Sequence, residues 1–304
     1  MFAACAQDYP ARAVRIVVPS PPSGGTDIVA RVLAQHFSKA FGQQFFVENK
    51  PGAGNLIGIE AVARAQPDGY TLLMTASTLA LNSVLYRKVP YDPVRDFAPV
   101  TLAATAPNIL IVHPGVAATS VAELIALAKR KPGVLSYATP GIGTSPHLCM
   151  ELLKTMAGID LQHVPYRGTA AAVTDVMGGQ VQAAFATALT AKPQVDAGRV
   201  RALAVSGPRR VEALPGVPTV GETVPGYEAM QWYGLAVPAG TPPAIVGRLN
   251  AEALVALRAT ETRDRLAADG AEPLGSTPEE FGAFLRRELD KWSRVARAAG
   301  IEPQ

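Results

Sequence analysis

The chain has few of the residues from which metal and thiol centres are built. It contains two cysteines, Cys5 and Cys149, and four histidines, His36, His113, His147 and His163, spread over 304 residues. Two cysteines cannot form a disulfide scaffold, and none of the six has ligand-like spacing, so neither a metal nor a cofactor is expected. No H-E-x-x-H, Cys-x-x-Cys or G-x-S-x-G motif occurs, which removes the usual signatures of zinc proteases, thiol redox centres and serine hydrolases. Charge is scarce as well: 17% of residues are charged and the net charge is +3. That leaves no basic footprint for nucleic acid. Long hydrophobic runs are also missing. Residues 97 to 122 carry no Asp, Glu, Lys or Arg, but Pro99, Pro107 and Pro114 divide them into strand-sized pieces and argue against a membrane span.

What the chain does have is 48% hydrophobic residues with 27 glycines and 26 prolines. That composition excludes disorder and implies packed cores joined by many defined turns. The length suits two domains of about 150 residues each. At the start, Ala4-Cys5-Ala6 fits the small-residue cleavage pattern of a secretory signal whose basic and apolar parts are missing. Residues 1 to 7 are therefore expected to be the remnant of a signal peptide. An ordinary frayed terminus and a lipid-anchored Cys5 are the alternatives.

Short runs of Val, Ile and Leu alternate with helical patterns, the signature of strands joined by crossover helices. Strands are expected at residues 14–18, 45–47, 71–75, 109–112, 135–138, 161–164, 181–185, 202–205 and 231–237. The first helix keeps Ile28, Val29, Val32, Leu33, Phe37 and Phe41 on one face and stops at Gly42. Ser120 with Glu123 predicts a capping box, and Thr241-Pro242 and Thr277-Pro278 predict an N-cap followed by proline at the first helical position. Residues 206–226, rich in Pro and Gly, read as a long surface connection. Trp232 and Tyr233 are read mainly as core or hinge residues, with stacking on a ligand as the rarer role.

Two loops join a strand end to a helix start with unusual density of small and hydroxyl residues. The first is Pro19-Ser20-Pro21-Pro22-Ser23-Gly24-Gly25-Thr26-Asp27, and the second is Thr139-Pro140-Gly141-Ile142-Gly143-Thr144-Ser145-Pro146-His147. Helix starts present unpaired amides to an anion, and Gly141 and Gly143 let backbone approach a ligand. Either loop can equally be a plain cap, by Thr26 or Asp27 in the first and by Ser145 followed by Pro146 in the second. Ser145 with His147 as nucleophile and base is disfavoured, because neighbours at a helix start point apart. Cys149 is read as a small buried residue.

The two loops, with Val47-Glu48-Asn49-Lys50-Pro51-Gly52-Ala53-Gly54, Pro67-Asp68-Gly69-Tyr70-Thr71-Leu72-Leu73, Tyr91-Asp92-Pro93 and Asp96-Phe97, resemble the Bug family, the substrate-binding receptors of tripartite tricarboxylate transporters. The likeness continues through His163-Val164-Pro165-Tyr166-Arg167-Gly168, Leu214-Pro215-Gly216-Val217-Pro218-Thr219, Pro238-Ala239-Gly240-Thr241-Pro242 and Gly275-Ser276-Thr277-Pro278-Glu279-Glu280-Phe281, and so spans residues 8 to 303.

The resemblance implies an α/β periplasmic binding protein of two lobes, each a mixed, mostly parallel sheet flanked by helices, joined by two crossover segments. One lobe would comprise residues 8–110 with 227–304 and the other residues 111–226, with a hinge near residues 109–112 and 232–237. It implies a non-enzymatic, monomeric receptor that closes on a small di- or tricarboxylate or aromatic acid and delivers it to membrane transporter subunits. A stand-alone ligand sensor, or a small-acid hydrolase or transferase, is the alternative. The binding residues so implied are Ser20, Pro21, Pro22, Ser23, Gly24, Gly25, Thr26, Asp27, Thr139, Gly141, Ile142, Gly143, Thr144, Ser145 and His147, joined by Thr78, Arg167, Gly168 and Thr187. The sequence departs from the pattern at Ser20, where an aromatic residue is frequent, at Ser23, where glycine is frequent, and at Ala186, where an acidic residue is frequent. Loss of that acid makes a ligand amine less welcome.

Overall fold

The computed structural model describes residues 9–303 except 23, 167, 213, 269, 299, 301 and 302. The expectations for residues 1 to 8, Ser23 and Arg167 lie outside the described residues.

The first part of the chain follows the predicted alternation. β1 (Val14–Val18) leads into α1 (Gly25–Phe41), which buries Val29, Leu33 and Phe37 and ends at Gly42 in the left-handed region, φ 67°, where glycine avoids the Cβ penalty. β2 (Phe45–Asn49), α2 (Leu56–Ala63), β3 (Thr71–Ala76) and α3 (Thr78–Leu85) follow. β2 and β3 flank β1 in parallel.

β4 (Phe97–Val112) corrects the expectation of short pieces: it is one strand of 16 residues running through both Pro99 and Pro107. A proline cannot donate to a ladder, and the strand accommodates both where its pairing is irregular. The register slips between Pro99 and Thr101, and at Pro107 the strand leaves β9 (Met230–Pro238). From Asn108 onward it pairs instead with β7 (Ala183–Thr187) on one edge and, from Ile109, with β8 (Arg201–Val205) on the other. β4 therefore belongs to two half-sheets. Between β4 and β7 the chain forms α4 (Val121–Arg130), β5 (Ser136–Thr139), α5 (Ser145–Ala157), β6 (Gln162–Pro165) and α6 (Thr169–Met177), and α7 (Ala188–Asp196) joins β7 to β8; α8 (Pro243–Arg258), α9 (Thr260–Ala268), β10 (Glu272–Pro273) and α10 (Pro278–Ala298) complete the chain.

The strand order is β2-β1-β3-β9-β4-β7-β5-β6, with β8 and β10 paired to β4. Pairings within β1–β3 and within β5–β7 are parallel, whereas every pairing of β4 and β9 is antiparallel. Residues 109–112 pair on both edges, with β7 and β8, and residues 233–236 pair on both edges, with β3 and β4. β4 changes partners at Pro107 and Asn108. There Ser206, just past β8, knits the two crossovers together: its amide donates to Asn108 O at 2.8 Å, its hydroxyl accepts from Asn108 N at 2.8 Å and donates to Ala229 O, and its carbonyl accepts from Ala229 N at 2.9 Å.

Helices cover both faces of each half-sheet. One half-sheet buries Ile16, Leu33, Phe37 and Leu249 on one face and Ile59, Leu73, Trp232 and Phe281 on the other. The other half-sheet buries Leu124, Tyr137, Leu153 and Phe185 on one face and Ile111, Val173 and Val176 on the other. α10 crosses between them. Its Phe281 and Leu285 join the cluster with Trp232, while Trp292 and Val295 join the cluster with Tyr137 and Phe185, so residues 227–304 do not all pack in one lobe. Burying each large apolar side chain contributes about 1.5–3 kcal/mol, which makes α10 a strut between lobes.

The cap of α10 is as predicted: Thr277 Oγ1 accepts from Glu280 N at 3.1 Å, and Glu280 Oε2 accepts from Thr277 N at 2.9 Å. At α4 only half the box forms. Ser120 Oγ accepts from Glu123 N, but the Glu123 carboxylate returns to Thr119. α8 starts one residue late, with Pro242 as N-cap, and the Thr241 hydroxyl donates back to Pro238 O at 2.8 Å.

Candidate functional site

Both predicted loops lie at carboxyl ends of parallel strands, the first after β1 and the second after β5, the edge at which open α/β sheets bind ligands. Their internal bonding differs from the expected cradles. In the first loop neither Thr26 nor Asp27 caps α1; Gly24 is the N-cap, in extended conformation and without a side-chain cap, and Thr26 and Asp27 are buried within the first turn. Asp27 Oδ1 accepts from Asn49 Nδ2 at 2.9 Å and Oδ2 from Arg31 Nε at 2.8 Å, while Asn49 Nδ2 also donates to Ser20 O at 3.0 Å. Asp27 thus fastens the loop to the end of β2 rather than offering a free carboxylate. Gly25 is required by contact, since a Cβ there would stand 2.2 Å from Tyr233 Oη. The Ser20 hydroxyl is buried with no hydrogen-bond partner among the described residues, an uncommon state that a ligand or water would relieve. Pro21 and Pro22 stay exposed.

In the second loop Thr144, not Ser145, is the N-cap of α5, and Pro146 is the second helical residue. The Thr144 hydroxyl donates to Gly141 O at 2.8 Å, closing the loop on itself. Gly141 and Gly143 have φ of 142° and 77°, conformations costly for other residues. Their amides, expected to face a ligand, are already engaged: Gly141 N donates to Thr139 Oγ1 at 3.3 Å and Gly143 N to His147 Nδ1 at 3.2 Å. Ser145 Oγ accepts from Asn108 Nδ2 at 2.9 Å, so it is tied to the crossover and not to His147. Asn108 Oδ1, fully buried, has no partner among the described residues.

Behind this loop three rings stack. His163 lies 4.4 Å from His147 and 4.9 Å from Tyr137, centroid to centroid, and His163 Nε2 is 2.7 Å from Thr139 Oγ1. The Tyr137 hydroxyl donates to Glu151, which also accepts from Lys154 Nζ at 2.8 Å. Burial, and then the neighbouring His163, hold the His147 pKa down at about 4. At neutral pH the imidazole is therefore uncharged and can accept the Gly143 amide. His147 is a support of the loop, inaccessible to a ligand at 4% exposure.

The remaining expected residues sit around the same edge. Gly168, φ 111°, is the N-cap of α6, and its amide donates to Pro140 O at 3.3 Å. Thr187 ends β7 opposite Asn108 and is the N-cap of α7. Trp232 is fully buried, its indole donating to Glu288 at 3.1 Å. Cys149 is buried too, which pushes its thiol up to about 11 and leaves it inert.

A cavity of about 170 Å³ opens where the second loop approaches α3. Ile142, Gly143 and Thr144 form one wall, with Gly143 so near Leu85 Cδ1 that a Cβ would stand 2.4 Å from it. Thr78, Asn82, Leu85 and Tyr86 form the other wall, and Gly54 and Asn55 close the end. Among the described residues, none of loop 20–27 lines it. Asn55, Asn82 and Tyr86 had escaped the sequence reading. The one available signal was the motif around Gly52 and Gly54, where residues 52 to 55 all take positive φ, Ala53 at 46° and Asn55 at 76° included, strain that functional sites often hold.

These features agree with comparison to known proteins. Residues 29–301 match the family model described as "Tripartite tricarboxylate transporter family receptor". The chain is 36% identical to protein BugT of Bordetella pertussis over 98% of this chain and 92% of that protein. Among solved structures it is similar to Rpa4515 of R. palustris with adipate, at TM-score 0.86 and 37% identity over 97% of this chain and 100% of that one. It is also similar to MatC of Rhodopseudomonas palustris with bound malate, at TM-score 0.81 and 32% identity over 94% and 99% of the two chains. By sequence along most of its length and by its two-lobed fold, the chain belongs to the family of tripartite tricarboxylate transporter receptors.

Proposed function

We propose that the protein is a periplasmic receptor that captures a small carboxylate between its lobes and presents the closed form to the membrane subunits of a tripartite transporter. What carries this reading is the similarity to receptors holding adipate and malate, coupled with a cleft at strand carboxyl ends. The lobes divide near Pro107 on β4 and within residues 206–230, with α10 spanning both. Export by a signal peptide, a monomeric state and the lack of catalysis belong to the same reading. Among the described residues no helix is long and apolar enough to cross a membrane.

The acid group is held by groups of the two loops, the Ser20 hydroxyl among them, with Thr78, Thr139, Gly168 and Thr187 on the flanks. Each helix terminus contributes about 0.3–1 kcal/mol when exposed and up to ~2 when partly buried, so micromolar binding, near −8 kcal/mol, requires several donors acting together in a closed, dry cleft. Titration calorimetry against mono-, di- and tricarboxylates and aromatic acids tests this. Saturable binding of at least one, with the acid recovered unaltered, is expected; affinity only for an unrelated ligand class, or turnover of the bound acid, refutes it.

A further inference from the structure

At the end of β1 away from the binding loops, part of the sheet face is left uncovered. Arg15 pairs in register with Phe46 on β2 and with Thr71 on β3, so the three form one row across the sheet. Residues two apart on a strand share a face, which puts Val17 and Leu73 on this side as well, and those two pack with Ile59 and Val62 of α2. α2 runs back toward the strand starts but has only eight residues, Leu56–Ala63. Among the described residues no helix continues over the row of Arg15. A groove of about 530 Å³ opens there, with Phe46, Arg15 and Thr71 in its lining. Arg64, just past α2, and Arg12, whose guanidinium stacks over Tyr70 at 3.9 Å, line it too.

Each of the three guanidinium groups is anchored by its own carboxylate. Arg12 Nη2 lies 3.2 Å from Asp68 Oδ2, Arg15 Nη1 3.0 Å from Glu48 Oε2 and Arg64 Nη2 2.6 Å from Glu60 Oε1, while Arg15 Nη2 also donates to Thr71 Oγ1 at 3.3 Å. Each thus spends one or two of its five N–H donors and keeps the rest. Of the carboxylates only Asp68 is in the lining, which leaves three positive residues to one negative. Phe46 beside them is 40% exposed, so an occupant gains by bringing both carboxylates and apolar side chains. Because the charges are fixed on separate segments, they suit a chain with several acids better than one small anion. A bilayer is flat and reads basic groups that protrude, whereas a recess is reached by a segment that protrudes from a partner. We propose that this groove docks an acidic peptide segment of a partner protein, glutamates or aspartates interspersed with aliphatic residues. Naming that partner as a membrane subunit of the transporter rests on the receptor reading; the groove itself does not. The five residues of β1, about 15 Å at ~3.3 Å each, separate the groove from the first binding loop, so a docked segment leaves the cleft free to admit ligand.

The test is fluorescence anisotropy of the purified chain with a labelled glutamate-rich peptide containing two leucines, against the same peptide with glutamine for glutamate. The acidic peptide should bind saturably, with Kd below about 1 mM in dilute buffer, and several-fold more weakly when salt rises from about 0.01 M to about 1 M, as the screening length falls from about 30 Å to about 3 Å. Arg12→Gln and Arg64→Gln, at side chains 66% and 71% exposed, should each weaken it about two- to fivefold, with the affinity for carboxylates in the cleft unchanged. Arg287→Gln with Arg294→Gln removes exposed charge from α10 instead, and should weaken it less than either groove substitution alone. No binding, equal binding of the glutamine peptide, or as great a loss in the α10 control overturns the groove. Binding of phosphatidylglycerol vesicles but not of the peptide overturns it in favour of a membrane surface. Peptide binding with failure of every carboxylate leaves the groove standing and refutes the receptor reading, and the reverse result refutes the groove alone.

Discussion

Replacing His147 by asparagine should make the protein less sensitive to acid while preserving the second loop. The imidazole accepts the Gly143 amide through Nδ1 at 3.2 Å, and the Oδ1 of asparagine stands in nearly the same place as an acceptor that does not protonate in this range. In the native protein the His147 pKa is depressed from 6.5 to about 4, by burial first and by His163 second, and that of His163 is lowered in the same direction. Between these values the unfolded chain binds a proton that the folded chain refuses, so stability falls as pH falls from 6.5 towards 4 and is fully present above that window. For His147 alone the loss between pH 7 and pH 5 is about 2 kcal/mol. Glu151, Lys154, Tyr137 and His163 also face the ring, but they are common to wild type and variant. Stopping at pH 5 keeps most carboxylates ionised in both folded and unfolded chains. Urea denaturation at pH 7, 6 and 5 should therefore show the gap between His147→Asn and wild type closing or reversing by about 2 kcal/mol on acidification. His147→Leu should also lose the acid sensitivity, but at pH 7 it weakens ligand binding about two- to tenfold, as loss of one neutral hydrogen bond implies, whereas His147→Asn retains affinity. Equal acid sensitivity of wild type and both variants, or loss of affinity in the asparagine variant as severe as in the leucine one, would refute the assigned role.

Two further outcomes follow from the packing. Gly143→Ala places a Cβ at φ 77° and 2.4 Å from Leu85 Cδ1, so it should destabilise the protein by about 1–3 kcal/mol. Leu85→Ala in the same background should relieve only the steric part, as a double-mutant cycle in urea would show. Glu288, buried, accepts from Trp232 Nε1 at 3.1 Å, Trp292 Nε1 at 2.8 Å and Lys291 Nζ at 3.1 Å. Glu288→Ala strands both indole N–H groups and should cost about 2–5 kcal/mol. Because these are the two tryptophans of the chain, the folded-state emission spectrum should shift; an unchanged spectrum with unchanged stability would show the junction to be incidental.

Much of the architecture was legible in the residues because it depends on local chemistry. Val14 to Val18 form a strand as periodicity predicts, Gly42 stops α1 because it can take a left-handed φ, and Thr277 with Glu280 caps α10. The same local reasoning failed where the folded chain had given the group another partner, whether a few residues away, as for Thr241, or 22 away, as for Asp27 with Asn49. Thr241 looks like an N-cap, but its hydroxyl goes to Pro238; Asp27 looks like a free acid, but Asn49 and Arg31 hold it. The amides of Gly141 and Gly143 look available until Thr139 and His147 are folded beneath them.

The sequence by itself determined the α/β class, the receptor family and the two glycine-rich loops, since these reside in hydrophobic period, turn chemistry and the order of motifs. Only the tertiary structure decided that β4 runs unbroken through two prolines to serve both half-sheets, that α10 spans the lobes, and that Asn55, Asn82 and Tyr86 meet Ile142 and Thr144 around one cavity. Those outcomes depend on which strand edge, which apolar face and which lone pair finds its partner some tens to hundreds of residues away, and hydrogen bonds and burial of that range leave no periodic mark in the chain.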